Sequence, residues 1–159
     1  MAVAMGSPAP EFSLTDLQGT TYQMSQFNDT PLLLFFFRTD CTWCHVEMPK
    51  LAEARRRHKD VAVQVVGIAA GDDLTLIQDY AKQHEIEYPV LFDKNAEVSR
   101  AFGLERVPSV VLIGANGTIS RVYEGSSEQL SGIVEQTLMA AARGDEPPEY
   151  SLIGNGCAA

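Results

Sequence analysis

The stretch Leu32-Leu33-Leu34-Phe35-Phe36-Phe37-Arg38-Thr39-Asp40-Cys41-Thr42-Trp43-Cys44 decides how the chain is read. Its first six residues are apolar without interruption. That suits a strand covered on both faces, because a strand with one wet face alternates apolar and polar residues. Such a strand belongs at the centre of a parallel or mixed sheet. Just beyond it, two cysteines separated by two residues open an amphipathic segment. Cys44, Glu47, Met48, Leu51 and Arg55 recur at three- and four-residue steps, so the spacing predicts a helix over 41–59, capped by Thr39 or Asp40, with these side chains on one face.

Working outward, the N-terminal side reads as a lead-in at Pro8-Ala9-Pro10 and a small hairpin turning at 16–19. On the C-terminal side the pattern predicts strands over 61–69, 88–92 and 109–113, with helices over 74–84 and 96–102, the latter stopped by Gly103. Asn116-Gly117 signals a tight hairpin, so 119–123 should pair antiparallel with 109–113. A closing helix over 126–143 has Ser126 or Ser127 as its N-cap. The residues from 144 onward, with Pro147-Pro148 and Gly154-Asn155-Gly156, have turn formers and little periodicity. This order describes one α/β domain over 1–143, a mixed central sheet flanked by helices, followed by an irregular tail over 144–159.

Composition agrees with one ordinary domain: 159 residues, 45% hydrophobic, with 12 Lys+Arg against 21 Asp+Glu for a net charge of -9. That charge argues against nucleic acid or an anionic membrane surface as partner. The apolar block over 32–37 is the longest, and it is too short to cross a bilayer. The first residues show neither a basic n-region nor an apolar h-region. The expected location is therefore the cytoplasm, or a bacterial periplasm or cell envelope if a leader has been removed.

Three cysteines, Cys41, Cys44 and Cys157, are too few to staple a domain that has its own core, so they read as reactive. At a helix N-terminus, unpaired backbone N–H groups and the positive end of the dipole favour a thiolate. Cys41 is thus the candidate nucleophile. Cys44 is the candidate resolving thiol that attacks a mixed disulfide on Cys41. The motif admits three other readings. With His45 the motif also matches the c-type haem attachment pattern, but the strands around it suit a sheet protein better. A structural zinc site lacks its four ligands, and a structural disulfide over so short a loop constrains the unfolded chain little.

Glu47 lies one turn beyond Cys44 on the same face. From spacing alone it is either a partly desolvated carboxylate that exchanges a proton with the Cys44 thiol or a solvent-exposed helix glutamate. His45 is expected to be an exposed helix residue, the alternative being a charge that favours the Cys41 thiolate when protonated; Pro49 is expected to kink the helix, and the basic run over 55–59 to be a solvated helix end. Cys157 reads as a free tail thiol, an intermolecular disulfide being the alternative. The Val107–Pro108 bond, judged from its residues, is expected to be trans.

Taken together, these residues resemble the thioredoxin superfamily, and more closely the TlpA/ResA-like thiol-disulfide oxidoreductases related to the AhpC/TSA group. The resemblance rests on 9–14 (Ala-Pro-Glu-Phe-Ser-Leu), Gly19, the apolar strand before the C-x-x-C, Glu47-Met48-Pro49, 88–93 (Tyr-Pro-Val-Leu-Phe-Asp), Phe102-Gly103, Val107-Pro108-Ser109 and Gly117-Thr118-Ile119. These pieces occur in the family's order over about residues 8 to 140.

The resemblance implies a thioredoxin-like fold with an N-terminal hairpin and an extra strand-helix insertion. It implies that Pro108 is a cis-proline beside the active-site sulfurs, and that the Val107 backbone offers sheet-like hydrogen bonds to a bound polypeptide. It favours Glu47 as the proton relay, since plain thioredoxins bury an aspartate at the position filled here by Phe35. Protein thiols or disulfides and a recycling redox partner are the implied partners, a monomer the implied state, and no organic cofactor or metal is implied.

The chain departs from the pattern at Asp40, where a tryptophan is usual, and at Trp43 inside the motif, where a bulky ring would shape the docking surface. A peroxiredoxin is the enzymatic alternative, but its signature would need Pro at 37 and Thr at 41, where this chain has Phe37 and Cys41. A non-enzymatic thioredoxin-fold binding module is the other alternative, and the intact cysteine pair tells against it.

Overall fold

A computed structural model describes residues 4–71, 73–149 and 154–159. Its centre is β3 (Leu32–Arg38), whose six apolar residues are all fully buried. β3 lies parallel to β4 (Gln64–Ala70), and β4 in turn lies parallel to β5 (Val90–Asp93). On its other side β3 pairs antiparallel with β7 (Ser109–Ile113), which carries β8 (Ile119–Glu124) antiparallel at the edge. The sheet order β5-β4-β3-β7-β8 is the mixed arrangement expected from the sequence. The uninterrupted apolar run has its physical reason here, since β3 is paired on both edges and covered on both faces.

Asp16 accepts the backbone N–H of Gln18 and of Thr20 (each 2.9 Å) and closes the hairpin of β1 (Ser13–Thr15) and β2 (Thr21–Gln23). An isolated bridge from Asp16 to Leu91 ties the hairpin to the sheet. Helix α1 (Thr42–Arg57) begins at the C-terminal end of β3 and continues through Pro49. It packs on α4 (Leu130–Arg143), to which the Arg57–Glu135 ion pair (2.8 Å) also joins it. Helix α2 (Leu74–Gln83) is capped by Asp73, whose side chain accepts the Leu76 N–H. The short α3 (Glu97–Ala101) is held by buried Asp93, which accepts the N–H groups of Val98 and Ser99. Gly67 makes room in β4 for the Tyr88 ring, which stands edge-on to Phe35 at 5.4 Å.

Several boundaries differ from the sequence expectation. Helix α1 begins at Thr42 with Cys41 itself as N-cap, so neither Thr39 nor Asp40 caps it, and it ends at Arg57. β4 starts at Gln64 because 61–63 form a bend, and β5 starts after Pro89. Helix α4 starts at Leu130: Ser126 is drawn into a bridge with Asn155, and Ser127 instead accepts the Gln129 N–H through its side chain. The Val107–Pro108 bond is cis, contrary to the reading from its residues and as the family resemblance implied.

The largest correction concerns the tail. Residues 157–158 form a strand, β9 (Cys157–Ala158), antiparallel to β6 (Arg106–Val107). Nearer the helix, Tyr123 donates its hydroxyl to the Pro148 carbonyl (2.7 Å) and Arg121 reaches the Pro147 carbonyl (3.1 Å). Among the described residues no helix is long and apolar enough to cross a membrane.

Candidate active site

The site sits where β3 hands over to α1. Cys41 has extended backbone angles, φ -105° and ψ 118°, and its carbonyl accepts the first helical bonds from the N–H groups of Cys44 (3.1 Å) and His45 (3.2 Å). Its sulfur lies 3.7 Å from the Val107 carbonyl oxygen. Val107 and the cis-proline thus face Cys41 from the opposite side of the site. Trp43 is exposed on the first turn of α1, and Val46 three residues on is exposed beside it.

Cys41 is disulfide-bonded, but not to Cys44. Its partner is Cys157, with a Cα–Cα separation of 5.9 Å, a normal span for a disulfide. The expectation of a free tail thiol is therefore overturned, and so is its intermolecular alternative. The reason is the pairing of β9 with β6, which brings Cys157 opposite Val107. Cys44 remains a free thiol and is fully buried. Burial pushes its pKa up to about 12; the Asp40 charge and, less strongly, the Glu47 charge act in the same direction, while the Arg38 backbone and side chain oppose them.

Glu47 is buried, its residue only 1% exposed. Its Oε1 accepts a short hydrogen bond from the Ser126 hydroxyl (2.6 Å), while Oε2 has no hydrogen-bond partner among the described residues. An unpaired buried carboxylate oxygen is costly, on the order of 1–3 kcal/mol or more. Sites that retain such a group commonly use it in proton transfer. Phe35, at the position where plain thioredoxins carry a buried carboxylate, is itself buried in the apolar sheet. Glu47 is thus a buried carboxylate one turn beyond Cys44 on α1, close enough for its charge to act on that thiol.

Asp40 points outward, forming a two-bond ion pair with Arg38 (3.0 and 2.8 Å). The same guanidinium donates to the Ala158 carbonyl (3.1 Å), so Arg38 joins the loop before Cys41 to the end of the tail.

His45 is half-buried rather than exposed. Its Nε2 bonds the Thr39 carbonyl (2.8 Å), and its Nδ1 faces His84 Nε2 at 2.9 Å. A carbonyl can only accept, so Nε2 carries the proton; in the neutral ring Nδ1 then accepts from His84. Tyr80 lies against both imidazoles, with ring centroids 4.7 and 4.4 Å away. Burial and the His45 ring lower the pKa of His84.

The structure sets Val107 and Pro108 against Cys41 and places Cys44 and Glu47 behind it on α1. Cys157, Arg38 and Ser126 as neighbours of these residues, and His84 as the partner of His45, were not legible in the sequence. Glycines at 154 and 156, immediately before a cysteine, were the one available signal for the tail, since paired glycines permit close backbone approach as well as turns.

The AhpC/TSA family model matches residues 5–122. The chain belongs to the AhpC/TSA family. Among its relatives, thiol-disulfide oxidoreductase ResA of Geobacillus kaustophilus is 30% identical over 125 residues, covering 79% of this chain and 72% of that protein. A secreted Mycobacterium tuberculosis disulfide oxidoreductase homologous to E. coli DsbE is 25% identical, with a TM-score of 0.69, over 77% of this chain and 93% of the other. A hypothetical protein from Sinorhizobium meliloti 1021 shares the fold more fully, with a TM-score of 0.86 over 99% of this chain and 94% of that one at 19% identity. The thioredoxin-like fold of this AhpC/TSA member is thereby shown.

Proposed function

We propose that this AhpC/TSA-family chain exchanges disulfides with polypeptide substrates, with Cys41 as nucleophile, Cys44 as resolving thiol and Glu47 as proton relay. That the chain is a thiol-disulfide oxidoreductase follows from its relatives. The assignment of roles rests on one observation above all: a cysteine at the N-cap of α1, with a second, unbonded thiol and a buried carboxylate behind it on the same helix.

In the reductive direction the Cys41 thiolate attacks one sulfur of a substrate disulfide. A Cys41–substrate bond forms, and the other substrate sulfur departs as a thiolate and takes up a proton. Cys44 then gives its proton to Glu47 and attacks the Cys41 sulfur. The Cys41–Cys44 bond forms as the substrate's remaining thiolate leaves and is protonated. Oxidation of a substrate dithiol is the same sequence reversed. The substrate's extended backbone adds to the β6 edge at Val107, beside Pro108, in the place that β9 takes in this structure, and Trp43 with Val46 supplies apolar contact at the rim. The chain acts as a monomer, and a second redox protein resets the cysteine pair.

Reduction of insulin by dithiothreitol tests this reading. The chain should accelerate it, Cys41→Ser should abolish the acceleration, and Cys44→Ser should accumulate mixed disulfides on Cys41. Full activity in either single variant overturns the assignment.

A further inference from the structure

Cys157 is 116 residues from Cys41 along the chain, and backbone contacts of residues 154–159 hold it beside that cysteine. The Ser126 and Asn155 backbones exchange hydrogen bonds, and the Gly154 N–H reaches the Glu124 carbonyl at 3.2 Å. β9 then pairs antiparallel with β6, Cys157 opposite Val107 and Ala158 opposite Arg106. Beyond the cysteine, Arg38 donates to the Ala158 carbonyl and the Ala159 N–H to the Glu105 carbonyl (3.2 Å).

The residue types are matched to this path. A Cβ on Gly154 would run into the backbone of Ser126, one on Gly156 would lie 2.7 Å from the Val107 carbonyl oxygen, and one on Gly125 would lie 2.7 Å from the Gly154 backbone. Three glycines therefore let two backbones meet where any other residue would hold them apart. The tail lies as an extended guest peptide lies on a sheet edge, and its cysteine is bonded to the nucleophile.

We propose that Cys157 is a third redox-active thiol and that residues 154–159 are a tethered guest of the polypeptide groove, so that the oxidised chain rests with Cys41 bonded to Cys157 and Cys44 reduced. This rests on the exchange function assigned to Cys41 and Cys44. Opening the resting form needs no outside oxidant or reductant. Cys44 passes its proton to Glu47 and attacks the Cys41 sulfur; the Cys41–Cys44 bond forms as the Cys41–Cys157 bond breaks. Cys157 leaves as a thiolate and takes up a proton. The tail and an external polypeptide use the same edge of β6, so each excludes the other. A short tether places the tail at an effective concentration on the order of millimolar, well above that of a dilute external peptide.

The test uses the full chain. After oxidation with glutathione disulfide, free thiols are alkylated in acid and the linked peptides are mapped by mass spectrometry. The expected map has Cys41 joined to Cys157 with the alkyl group on Cys44. A Cys41–Cys44 link with Cys157 alkylated overturns the proposal. Gly154→Val removes no thiol and should shift the map to Cys41–Cys44.

A second measurement follows mixed-disulfide formation between the oxidised protein and a reduced ten-residue cysteine peptide at about 20 μM. Gly154→Val should react at least about tenfold faster than the unmodified chain, given the tail's millimolar-order local concentration; equal rates overturn the proposal. Failure of the exchange function itself would look different. The insulin assay would then be silent for both proteins, whatever the disulfide map shows.

Discussion

Replacing Glu47 with glutamine separates two roles that a carboxylate beside a thiol can play. Burial holds the Cys44 pKa near 12, so at pH 7 about one molecule in 10⁵ carries the thiolate unless a base takes the proton during the attack. The negative charge of Glu47 adds to this suppression, but it is the smallest contribution named, after burial and Asp40. Glutamine keeps the shape and can still accept the Ser126 hydroxyl. If the charge were all that mattered, Glu47→Gln would ease ionisation of Cys44 slightly and speed its attack.

If Glu47 takes the proton, the variant should slow the attack by about 10²–10⁴-fold at pH 7, the usual contribution of a positioned base. Its rate should then climb roughly tenfold per pH unit as hydroxide ionises the thiol directly, up to the Cys44 pKa. The unmodified chain should show a much shallower rise. The assay, with Cys157→Ser in both proteins so that only Cys44 can attack, is release of a cysteine peptide from its mixed disulfide with Cys41, quenched in acid and read by mass between pH 6 and 10. A Glu47→Gln protein as fast as its parent at pH 7 refutes the relay.

Two further expectations concern the scaffold. In Gly67→Ala the new methyl would stand 3.1 Å from the Tyr88 ring, 3.3 Å from Phe37 and 3.4 Å from Val90, so urea unfolding should show a loss of about 1–3 kcal/mol from overpacking; an unchanged midpoint would show that the rings yield freely. Because the folded state lowers the pKa of His84, the unfolded chain binds the proton first as pH falls through the ordinary histidine range. The contribution is intact above about 6.5, and stability should decline as pH drops below it. Melting temperatures between pH 7.5 and 5.5 should fall less steeply in His84→Asn, and an identical slope would remove His84 as a source.

Much of the architecture was legible because it is written in local patterns. The run over 32–37 suits a doubly covered strand, and β3 buries all six residues. Asn116-Gly117 placed the β7–β8 hairpin, with Gly117 at φ 81°. The three- and four-residue steps put Cys44 and Glu47 on one buried helix face. What stayed hidden was long-range. Ser126 reads locally as a cap, but Glu47 and Asn155 compete for it and win. Gly154 and Gly156 read as turn formers because a sequence does not say which distant backbone a glycine admits. His45 looked exposed because nothing nearby announced His84, 39 residues on.

The complete burial of both Cys41 and Cys44 has a consequence for survival under oxidative stress. Conversion of a cysteine to sulfinic or sulfonic acid starts from an accessible thiolate and is irreversible for most proteins. With one sulfur already spent in a bond and the other shut away from peroxide, the capped chain offers no foothold for that damage, and a single reducing event returns it to service.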